Sequence, residues 1–374
     1  MQERWRSTHV EVHLPHLVHN FKLLKSCVNE APLFCPMVKA DAYGHGDIEV
    51  ARTLERHGPT TFGVVLVEEG VKLRRAGIQS PILIFGSFDH DASEATVNFN
   101  LTPVLSDWAH VKSFEHRLAE DDLFAVHLKF NTGMNRMGFE PAEAPKLAAH
   151  FANQTRMRVA GVCTHLQCSE DLGAAAGRTE KQINAFDELF AHFKSTHAIP
   201  HYLNSSAIMS RPSLKAGARP GIALYGVMPP THDQIRAHLL PVMTWKSALA
   251  LVRKVRAGES VSYGATWTAK RDSVIGVVPV GYGDGYSRAF SNKGIMLFRG
   301  RRVPVTGIVC MDYTMVDLTD AVSDGMANIG EDIVLLGRQG SEVLKAEELA
   351  QIAGTIPYEI LTRVGPRVPR LYTH

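Results

Sequence analysis

The chain has 374 residues, with 40 lysines and arginines against 38 aspartates and glutamates, and 45% of its residues are hydrophobic. This length predicts two or three domains, and this composition is that of a folded globular protein, which excludes collagen-like, coiled-coil and largely disordered chains. The formal net charge of +2 is too small to favour a nucleic acid or an anionic membrane surface as a partner.

The first residues carry charges and lack the apolar segment of a secretory signal. No later segment approaches the run of about 18 apolar residues that a membrane span needs. The five cysteines are an odd count, and none of them has the C-x-x-C spacing of a zinc or redox site. We therefore expect a cytoplasmic protein with reduced cysteines, no membrane segment and no metal site.

Short apolar runs alternate with amphipathic stretches from about residue 33 to about residue 225. Eight runs have the length of strands and begin at Leu33, Thr61, Pro81, Leu101, Leu123, Val159, His201 and Ala218. Stretches between them repeat apolar residues at three and four positions, as helices do, and the clearest begin at Glu68, Ala144 and Arg178. Eight strand and helix units predict an α/β fold with an N-terminal eight-stranded (β/α)8 TIM-type barrel. The alternative is a doubly wound open sheet, which usually has fewer repeats and often a glycine-rich phosphate motif.

After Gly226 the pattern changes to a linker-like stretch, residues 228–243, followed by strand signals and one short helix from Lys345. The strand signals begin at Ser247, Ser273, Gly294, Arg302, Tyr313 and Glu331. We therefore predict a barrel domain over residues 1–240 and a mostly β C-terminal domain over residues 241–374. The strand-like segment within residues 1–11 precedes the barrel and has the second domain as an alternative pairing partner.

Lys39 ends the first predicted strand, and the carboxyl ends of barrel strands are where barrel enzymes place their chemistry. A lysine seen alone at such a rim is usually a solvated charge. Lys39 instead follows an apolar run, and Asp41, Tyr43 and Gly44 crowd the turn after it. Burial would lower the pKa of its amine and suit it to Schiff-base chemistry.

The segment VKADAYGHG, residues 38–46, closely resembles the pyridoxal-phosphate attachment motif of alanine racemases. Five further segments resemble motifs of that family in the same order: residues 129–138, 204–206, 219–226, 262–264 and 310–312. The resemblance covers the whole chain. It implies an eight-stranded barrel followed by a β domain, which agrees with the pattern of apolar runs.

The resemblance implies that Lys39 holds the cofactor, pyridoxal 5′-phosphate, and that Tyr263 stands on the opposite face of the substrate. Racemisation removes an α-proton from one face and returns a proton to the other, so two opposed bases explain both directions. Lys39 would serve D-alanine and Tyr263 would serve L-alanine. A phenol is a weak base near neutral pH, and Arg136 and His165 are the family-matched residues that would favour the phenolate. Taken alone, Tyr263 would be a packed turn residue and His165 a core histidine.

Arg219 is implied to face the pyridine nitrogen, where a cation keeps that nitrogen unprotonated and disfavours side reactions. From the sequence alone, an arginine before Pro-Gly could equally form a surface ion pair. Barrels commonly bind phosphate with the loops after strands seven and eight. The resemblance implies that the cofactor is held there and nearby by Tyr43, Asn204, Ser205, Gly221, Ile222 and Tyr358.

Lys129 resembles a family lysine that is often carbamylated, whose negative charge then holds Arg136 in place. Asn131 stands where many relatives carry aspartate, which puts the local charge balance in doubt. Met311 and Asp312 match the region that receives the substrate carboxylate, together with Arg136.

The resemblance also implies a head-to-tail homodimer in which the β domain, with Tyr263 and Met311, covers the barrel mouth of the partner. Three tyrosines would narrow the entrance to the site, namely Tyr282, Tyr286 and Tyr358, with ordinary interface packing as the equal alternative for Tyr286. The predicted activity is the racemisation of L-alanine to D-alanine for peptidoglycan. A serine, lysine or broad-specificity racemase of the same fold is the alternative. A non-catalytic pyridoxal-phosphate carrier usually lacks the second domain, and a fold-related decarboxylase or D-threonine aldolase is less favoured.

Overall fold

The computed structural model describes residues 6–58, 60–88, 90–120, 122–153, 155–169, 176–211, 214–227, 238–322 and 326–374. Most of the predicted linker therefore lies outside the described residues, as do the first five residues. The chain forms two compact units. The barrel unit comprises Leu17–Ala42 and Asp47–Leu240, and the β unit comprises Met1–His16, Tyr43–Gly46 and Pro241–His374.

The barrel unit contains seven consecutive parallel strands, each hydrogen-bonded to the next in chain order. Strand β1 (His9–His13) belongs to the other unit. The barrel strands are β2 (Phe62–Val64), β3 (Ile82–Ile84), β4 (Thr102–Leu105), β5 (Phe124–Lys129), β6 (Met157–Cys163), β7 (Ile199–Leu203) and β8 (Gly217–Ala218). Their side chains are mostly buried, which explains why the sequence shows them as short continuous apolar runs.

The segment 33–38 is the eighth member of the ring. Parallel bridges join Phe34 to Ala218 and Met37 to Gly63, so this segment pairs with β8 on one side and β2 on the other. Pro36 lacks an amide hydrogen, which limits the segment to isolated bridges. The ring of eight confirms the predicted barrel and excludes the doubly wound open sheet.

The run predicted as the eighth strand from Ala218 is wrong in its length. Strand β8 ends at Ala218, and Ile222–Tyr225 form a 3-10 turn. Pro220 and Gly221 intervene, and neither residue type favours the continuation of a strand.

Helices lie between the strands, and the three stretches singled out in the sequence are all helical. They are α1 (Leu14–Ser26), α2 (Lys39–Gly44), α3 (Asp47–Glu55), α4 (Val67–Arg75), α5 (His90–Asn98), α6 (Trp108–Glu115), α7 (Ala144–Ala152), α8 (Ala176–Phe190) and α9 (Ser205–Ser210). In α4 the buried residues Val67, Gly70 and Leu73 recur every three positions, so one face of the helix packs inward. A short 3-10 turn, Pro141–Glu143, precedes α7, and another, Ala191–Thr196, follows α8.

The β unit is built on a sheet in the strand order β15-β14-β17-β9-β1-β19, with β18 paired to β17. Smaller sheets have the orders β10-β13-β16 and β11-β12. The strands are β9 (Met243–Ala248), β10 (Leu251–Val255), β11 (Ser260–Val261), β12 (Trp267–Thr268), β13 (Ser273–Val278), β14 (Ile295–Phe298), β15 (Arg301–Pro304), β16 (Thr314–Asp317), β17 (Asp332–Gln339), β18 (Glu342–Leu344) and β19 (Arg370–Thr373). Strand β1 pairs antiparallel with β9 and parallel with β19.

Two details of the β unit differ from the sequence prediction. The strand signal from Ser247 is divided between β9 and β10. The single predicted helix, α10 (Ala346–Ala353), is followed by a second helix, α11 (Pro357–Thr362). Helix α11 has only six residues, which is too short for an apolar period to be visible in the sequence.

Candidate active site

Lys39 lies at the carboxyl end of the segment that closes the barrel, directly after Val38, whose amide donates to the carbonyl of Gly63 at 2.9 Å. Burial lowers the pKa of the Lys39 amine, and the positive charge of Arg136 lowers it further, while Glu69 acts in the opposite direction. A lower pKa increases the neutral share of the amine, which is the nucleophilic form.

The helix α2 that begins at Lys39 is left-handed. Residues 40–44 have φ angles of 52°, 55°, 52°, 54° and 85°, and only the last of the five is glycine. Left-handed helical geometry brings each Cβ close to the following carbonyl oxygen and costs roughly 1–2 kcal/mol per residue. The backbone that carries Lys39 out of the barrel is therefore strained.

Arg219 lies buried inside the barrel and is held by three acceptors. Its Nη1 donates to Nδ1 of His201 at 2.8 Å and to the carbonyl of His201 at 2.5 Å, and its Nη2 donates to the carbonyl of Thr164 at 2.7 Å. No carboxylate of the described barrel residues forms an ion pair with it. This cation is therefore buried without an anion, and the surface ion pair considered from the sequence is wrong.

A second histidine continues this chain of contacts. His201 Nε2 and His127 Nδ1 lie 2.7 Å apart. Since His201 Nδ1 accepts from Arg219, its Nε2 carries the hydrogen and donates to His127. Burial lowers the pKa of His127 to about 3 and that of His201 well below its ordinary value, and the charge of Arg219 adds to both shifts. Both rings are thus neutral, and His201 contacts the arginine while His127 contacts His201.

Lys129, Arg136 and His165 line one small cavity with Asn131. Burial lowers the pKa of Lys129, and burial together with the charge of Arg219 lowers that of His165 to about 3. His165 is therefore neutral near pH 7, and Arg136 is the fixed cation of this cavity. Among the described residues, no acceptor lies within hydrogen-bonding distance of the Lys129 amine.

Asn131 shapes the loop that carries Arg136. Its Oδ1 accepts from the amides of Gly133 at 3.3 Å and Asn135 at 2.8 Å. Its Nδ2 donates to Asn135 Oδ1 at 3.0 Å and to Glu140 Oε1 at 3.2 Å. The amide side chain therefore uses its donor group on Glu140, which an aspartate at this position could not do.

The predicted phosphate-binding residues of the barrel come together after β7 and β8. Ser205 Oγ accepts from the amides of Gly221 at 2.9 Å and Ala223 at 3.3 Å. Asn204 Oδ1 accepts from the amide of Ala207 at 2.9 Å and so caps α9. Ile222 begins the 3-10 turn beside them.

Tyr263 lies on a strained turn of the β unit, and 71% of its surface is exposed. Its neighbours Ser262 and Ala265 have φ angles of 69° and 47°. The Ser262 hydroxyl donates to the carbonyl of Ile308 at 2.6 Å, which fixes the turn on the neighbouring loop.

Met311 is 52% exposed, and Asp312 beside it accepts a hydrogen bond from Arg367 Nη2 at 2.7 Å. The amides of Tyr282 and Gly283 donate to the carbonyls of Cys310 at 3.1 Å and Met311 at 2.9 Å. The loop predicted to receive the substrate carboxylate is therefore anchored through its own backbone and through the Asp312 ion pair.

Three other predicted tyrosines have different surroundings. The rings of Tyr43 and Tyr358 lie 6.2 Å apart in the β unit, and burial raises the pKa of Tyr43. Tyr286 is 1% exposed and packs on Phe290 at 4.6 Å between ring centroids. Tyr286 is a core residue of the β unit, so its predicted place at an entrance is wrong.

The barrel residues fit pyridoxal phosphate. Lys39 offers an amine of lowered pKa, and Arg219 is a buried cation without a carboxylate partner among the described residues. Ser205 and the Gly221 amide place two polar groups at one point. A ring with an aldehyde and an anionic phosphate would use all three features. In the described part of the chain, no three histidine, cysteine or acidic side chains stand close enough to hold a metal ion.

Sequence reasoning missed His127, His201 and Glu69. The available signal for the histidines is their place within apolar strands of a barrel, where a buried polar side chain must find a partner. Glu69 shows only the signal of a helix N-terminus, because it lies at the third position of α4.

Comparisons with known proteins point to one family. Family models for the alanine racemase N-terminal and C-terminal domains match residues 12–229 and 242–372. The alanine racemase of Sorangium cellulosum is 39% identical over 384 residues, covering 98% of this chain and 99% of that protein. The alanine racemase of Thermodesulfovibrio yellowstonii is 39% identical over 98% of both chains. The solved structure of alanine racemase from Clostridium difficile 630 has a TM-score of 0.90 at 31% identity, covering 99% of this chain and 97% of that one.

No described helix has the length and apolar character that crossing a membrane requires.

Proposed function

Because the chain belongs to the alanine racemase family, we propose that it interconverts L-alanine and D-alanine with pyridoxal 5′-phosphate as its cofactor. The D-alanine would be made in the cytoplasm and used for peptidoglycan. The observation that carries the proposal is the place of Lys39 at the carboxyl end of the segment that closes the barrel, where burial lowers the pKa of its amine.

When bound, pyridoxal phosphate supplies an electron sink that acidifies the α-hydrogen of the amino acid. Lys39 would hold the cofactor between turnovers, and its free Nζ amine would exchange a proton with the α-carbon on one face. Tyr263 exchanges a proton at its phenol oxygen on the other face. One base donates a proton to the α-carbon while the other removes one from the opposite face, so the configuration inverts.

Arg136 serves as the cation that orients the substrate carboxylate and favours the Tyr263 phenolate. His165 serves as a neutral hydrogen-bonding group, because burial and nearby charges lower its pKa to about 3. Carbamylation of Lys129 would place an anion beside Arg136, and the lowered pKa of Lys129 favours the neutral amine which that modification needs.

Arg219 serves to hold the ring nitrogen of the cofactor without giving it a proton. Three acceptors fix the guanidinium, and its neutral histidine neighbours cannot supply a proton easily. The phosphate would be held by Ser205 and by the amides of Gly221 and Ile222, with Asn204 capping the helix that begins at Ser205. Tyr43 and Tyr358 complete the predicted set.

The active unit would be a homodimer in which each β unit contributes Tyr263 and Met311 to the partner's barrel. Exposed large hydrophobic side chains of the β unit support this, among them Tyr263, Tyr282, Met311, Tyr313, Ile356 and Tyr358. A concentration of exposed aromatic and apolar side chains is typical of an interface.

The test is chiral chromatography of L-alanine, L-serine and L-lysine after incubation with the pure protein and pyridoxal phosphate. We expect D-alanine to dominate, Lys39→Ala to abolish it, and Tyr263→Phe to lower the rate by a factor of about 100 or more. In deuterium oxide, Tyr263→Phe should still exchange the α-hydrogen of D-alanine but not that of L-alanine. If D-serine or D-lysine dominates, serine or lysine is the substrate instead of alanine. If no D-isomer forms, the protein is not a racemase.

Mixing the two variants tests the shared site. A dimer of one Lys39→Ala chain and one Tyr263→Phe chain has one site with both residues intact. After subunit exchange we expect recovery to about a quarter of wild-type activity, since half of the dimers are mixed and each has one complete site. No recovery would place both residues of each site on one chain.

A further inference from the structure

The left-handed conformation of helix α2 is not favoured by the intrinsic backbone preferences of its residues. Four of its five residues with positive φ carry a Cβ atom, and such strain persists only where the surroundings fix the backbone. The contacts that fix the start of α2 also fix the direction in which the Lys39 side chain leaves the barrel.

One carboxylate makes the first of these contacts. Glu69 Oε1 accepts from the amide of Ala40, the residue after Lys39, at 2.6 Å. Its other oxygen, Oε2, accepts from the amides of Val65 at 2.9 Å and Leu66 at 3.0 Å. One side chain therefore joins the left-handed helix to the loop that follows β2.

Glu69 occupies two roles at once because of its place in α4. It is the third residue of that helix, and its bond to the Leu66 amide is half of an ordinary capping box. A capping box uses only one oxygen. The second oxygen is available for Ala40, whose amide is 29 positions away in sequence.

A second clamp lies one turn further along α4. Lys72 Nζ contacts Asp47 Oδ1 at 2.6 Å and Asp41 Oδ1 at 3.3 Å. Residues three apart share a helix face, so Glu69 and Lys72 hold α2 from the same side. Glu69 holds its beginning, beside Lys39, and Lys72 holds its middle and the start of α3.

We propose that Glu69 is a positioning residue for Lys39, because its carboxylate fixes the Ala40 amide and with it the exit direction of the lysine side chain. This inference rests on the proposed function of Lys39 as the cofactor-binding amine. It also gives Glu69 an electrostatic effect, since its charge opposes the other influences that lower the pKa of Lys39.

Glutamine at position 69 separates the two roles. A glutamine carbonyl can cap α4 as well as glutamate does. Its NH2 group would then face the Ala40 amide, and two donors cannot bond. Glu69→Gln should therefore keep the fold and release Ala40. The matched control is Glu68→Gln, which removes the same charge from an exposed neighbour in the same helical turn.

The experiment measures how fast the full-length protein, freed of cofactor, captures pyridoxal phosphate on Lys39 as a function of pH. Captured cofactor is fixed with borohydride and located by mass spectrometry. For Glu69→Gln we expect the plateau rate at high pH to fall about tenfold or more, as small misplacements of reacting groups do. The midpoint of the pH profile should move to lower pH, because a negative charge has been removed. Glu68→Gln should have the plateau rate and the pH midpoint of the wild type.

The outcomes separate this inference from the function on which it rests. If the wild type does not capture the cofactor on Lys39, the proposed function fails. If it does, and Glu69→Gln has the plateau and midpoint of Glu68→Gln, then Glu69 is only a helix cap. If Glu69→Gln unfolds, the double variant with Ala40→Gly relieves the left-handed strain. A folded double variant with the wild-type profile would also overturn the inference.

Discussion

The barrel unit and the β unit hold their predicted site residues in opposite environments. Lys39, Lys129 and Arg219 lie within the barrel, where burial lowers the pKa of each. Tyr263 and Met311 of the β unit are 71% and 52% exposed. Burial in the barrel thus changes the protonation of its candidate residues. The candidate residues of the β unit are exposed, so another surface would have to cover them to change their environment.

The two units also treat buried charge differently. The barrel buries Arg219 against two backbone carbonyls and the neutral ring of His201. The β unit buries Asp284 and pairs it with Arg6 at 2.6 Å and Arg367 at 3.4 Å. A buried arginine without a carboxylate partner costs stability and is consistent with a site for a ligand, while a paired carboxylate serves structure.

The largest expected effect is the loss of stability in mild acid, which comes from the barrel. Burial and the charge of Arg219 lower the pKa of His127 and His165 to about 3, whereas in the unfolded chain histidine protonates near pH 6.5. The unfolded state thus binds more protons as the pH falls from 6.5 toward 3, and stability is lost over that window. Each histidine should cost about 2 kcal/mol between pH 7 and pH 5.

Denaturant unfolding at the two pH values measures this loss. His165→Gln should reduce the loss of stability between the two pH values by the contribution of one histidine. His192→Gln, at an exposed position, should leave it unchanged. An equal loss in wild type and His165→Gln would show that His165 is not held neutral by burial.

The next effect tests the paired charge of the β unit. Arg6 donates two hydrogen bonds to Asp284, at 2.6 and 3.0 Å, and Asp284 is fully buried. Arg6→Ala should lower the free energy of unfolding by about 3 kcal/mol, because it leaves a buried carboxylate short of a partner. Arg271→Ala, which breaks an exposed pair with Asp320, should cause no measurable change. If both variants lower the free energy of unfolding by the same amount, the expected difference between the buried pair and the exposed pair is wrong.

The smallest effect tests the histidine pair of the barrel. A Cβ at Gly161 would lie 2.3 Å from Nδ1 of His127, so Gly161→Ala must displace that ring. We expect a loss of about 2 kcal/mol from overpacking, and a weaker hold on Arg219. Gly177→Ala meets no atom within 4 Å and should change the stability by less than about 1 kcal/mol. A Gly161→Ala protein as stable as wild type would contradict the tight contact.

The order of elements was predictable because it depends on local pattern. All eight apolar runs from Leu33 to Ala218 belong to the barrel ring, and the helical periods from Glu68, Ala144 and Arg178 each correspond to a helix. Errors occur where the local signal is short or interrupted. Pro220 and Gly221 end the run from Ala218, and α11 is too short to show a period.

The positions of the candidate residues along the chain were predictable, and their surroundings in the fold were not. The resemblance named Lys39, Arg136, His165 and Arg219, and the structure describes all four in the barrel unit. The resemblance did not indicate the left-handed backbone after Lys39, because alanine and tyrosine disfavour positive φ and a single aspartate tolerates it without predicting a run of four such residues. Nor did it indicate that Tyr286 lies in the core.

The sequence by itself determined which segments are strands and helices, where the rim residues stand along the chain and which family the motifs resemble. These follow from the spacing of neighbouring residues, which sets local backbone structure and the faces that are buried. Only the tertiary structure decided that Glu69 holds Ala40 and that His127 orients His201 and Arg219. Such contacts arise when closure of the barrel brings distant segments together, and burial there sets pKa values that no local pattern contains.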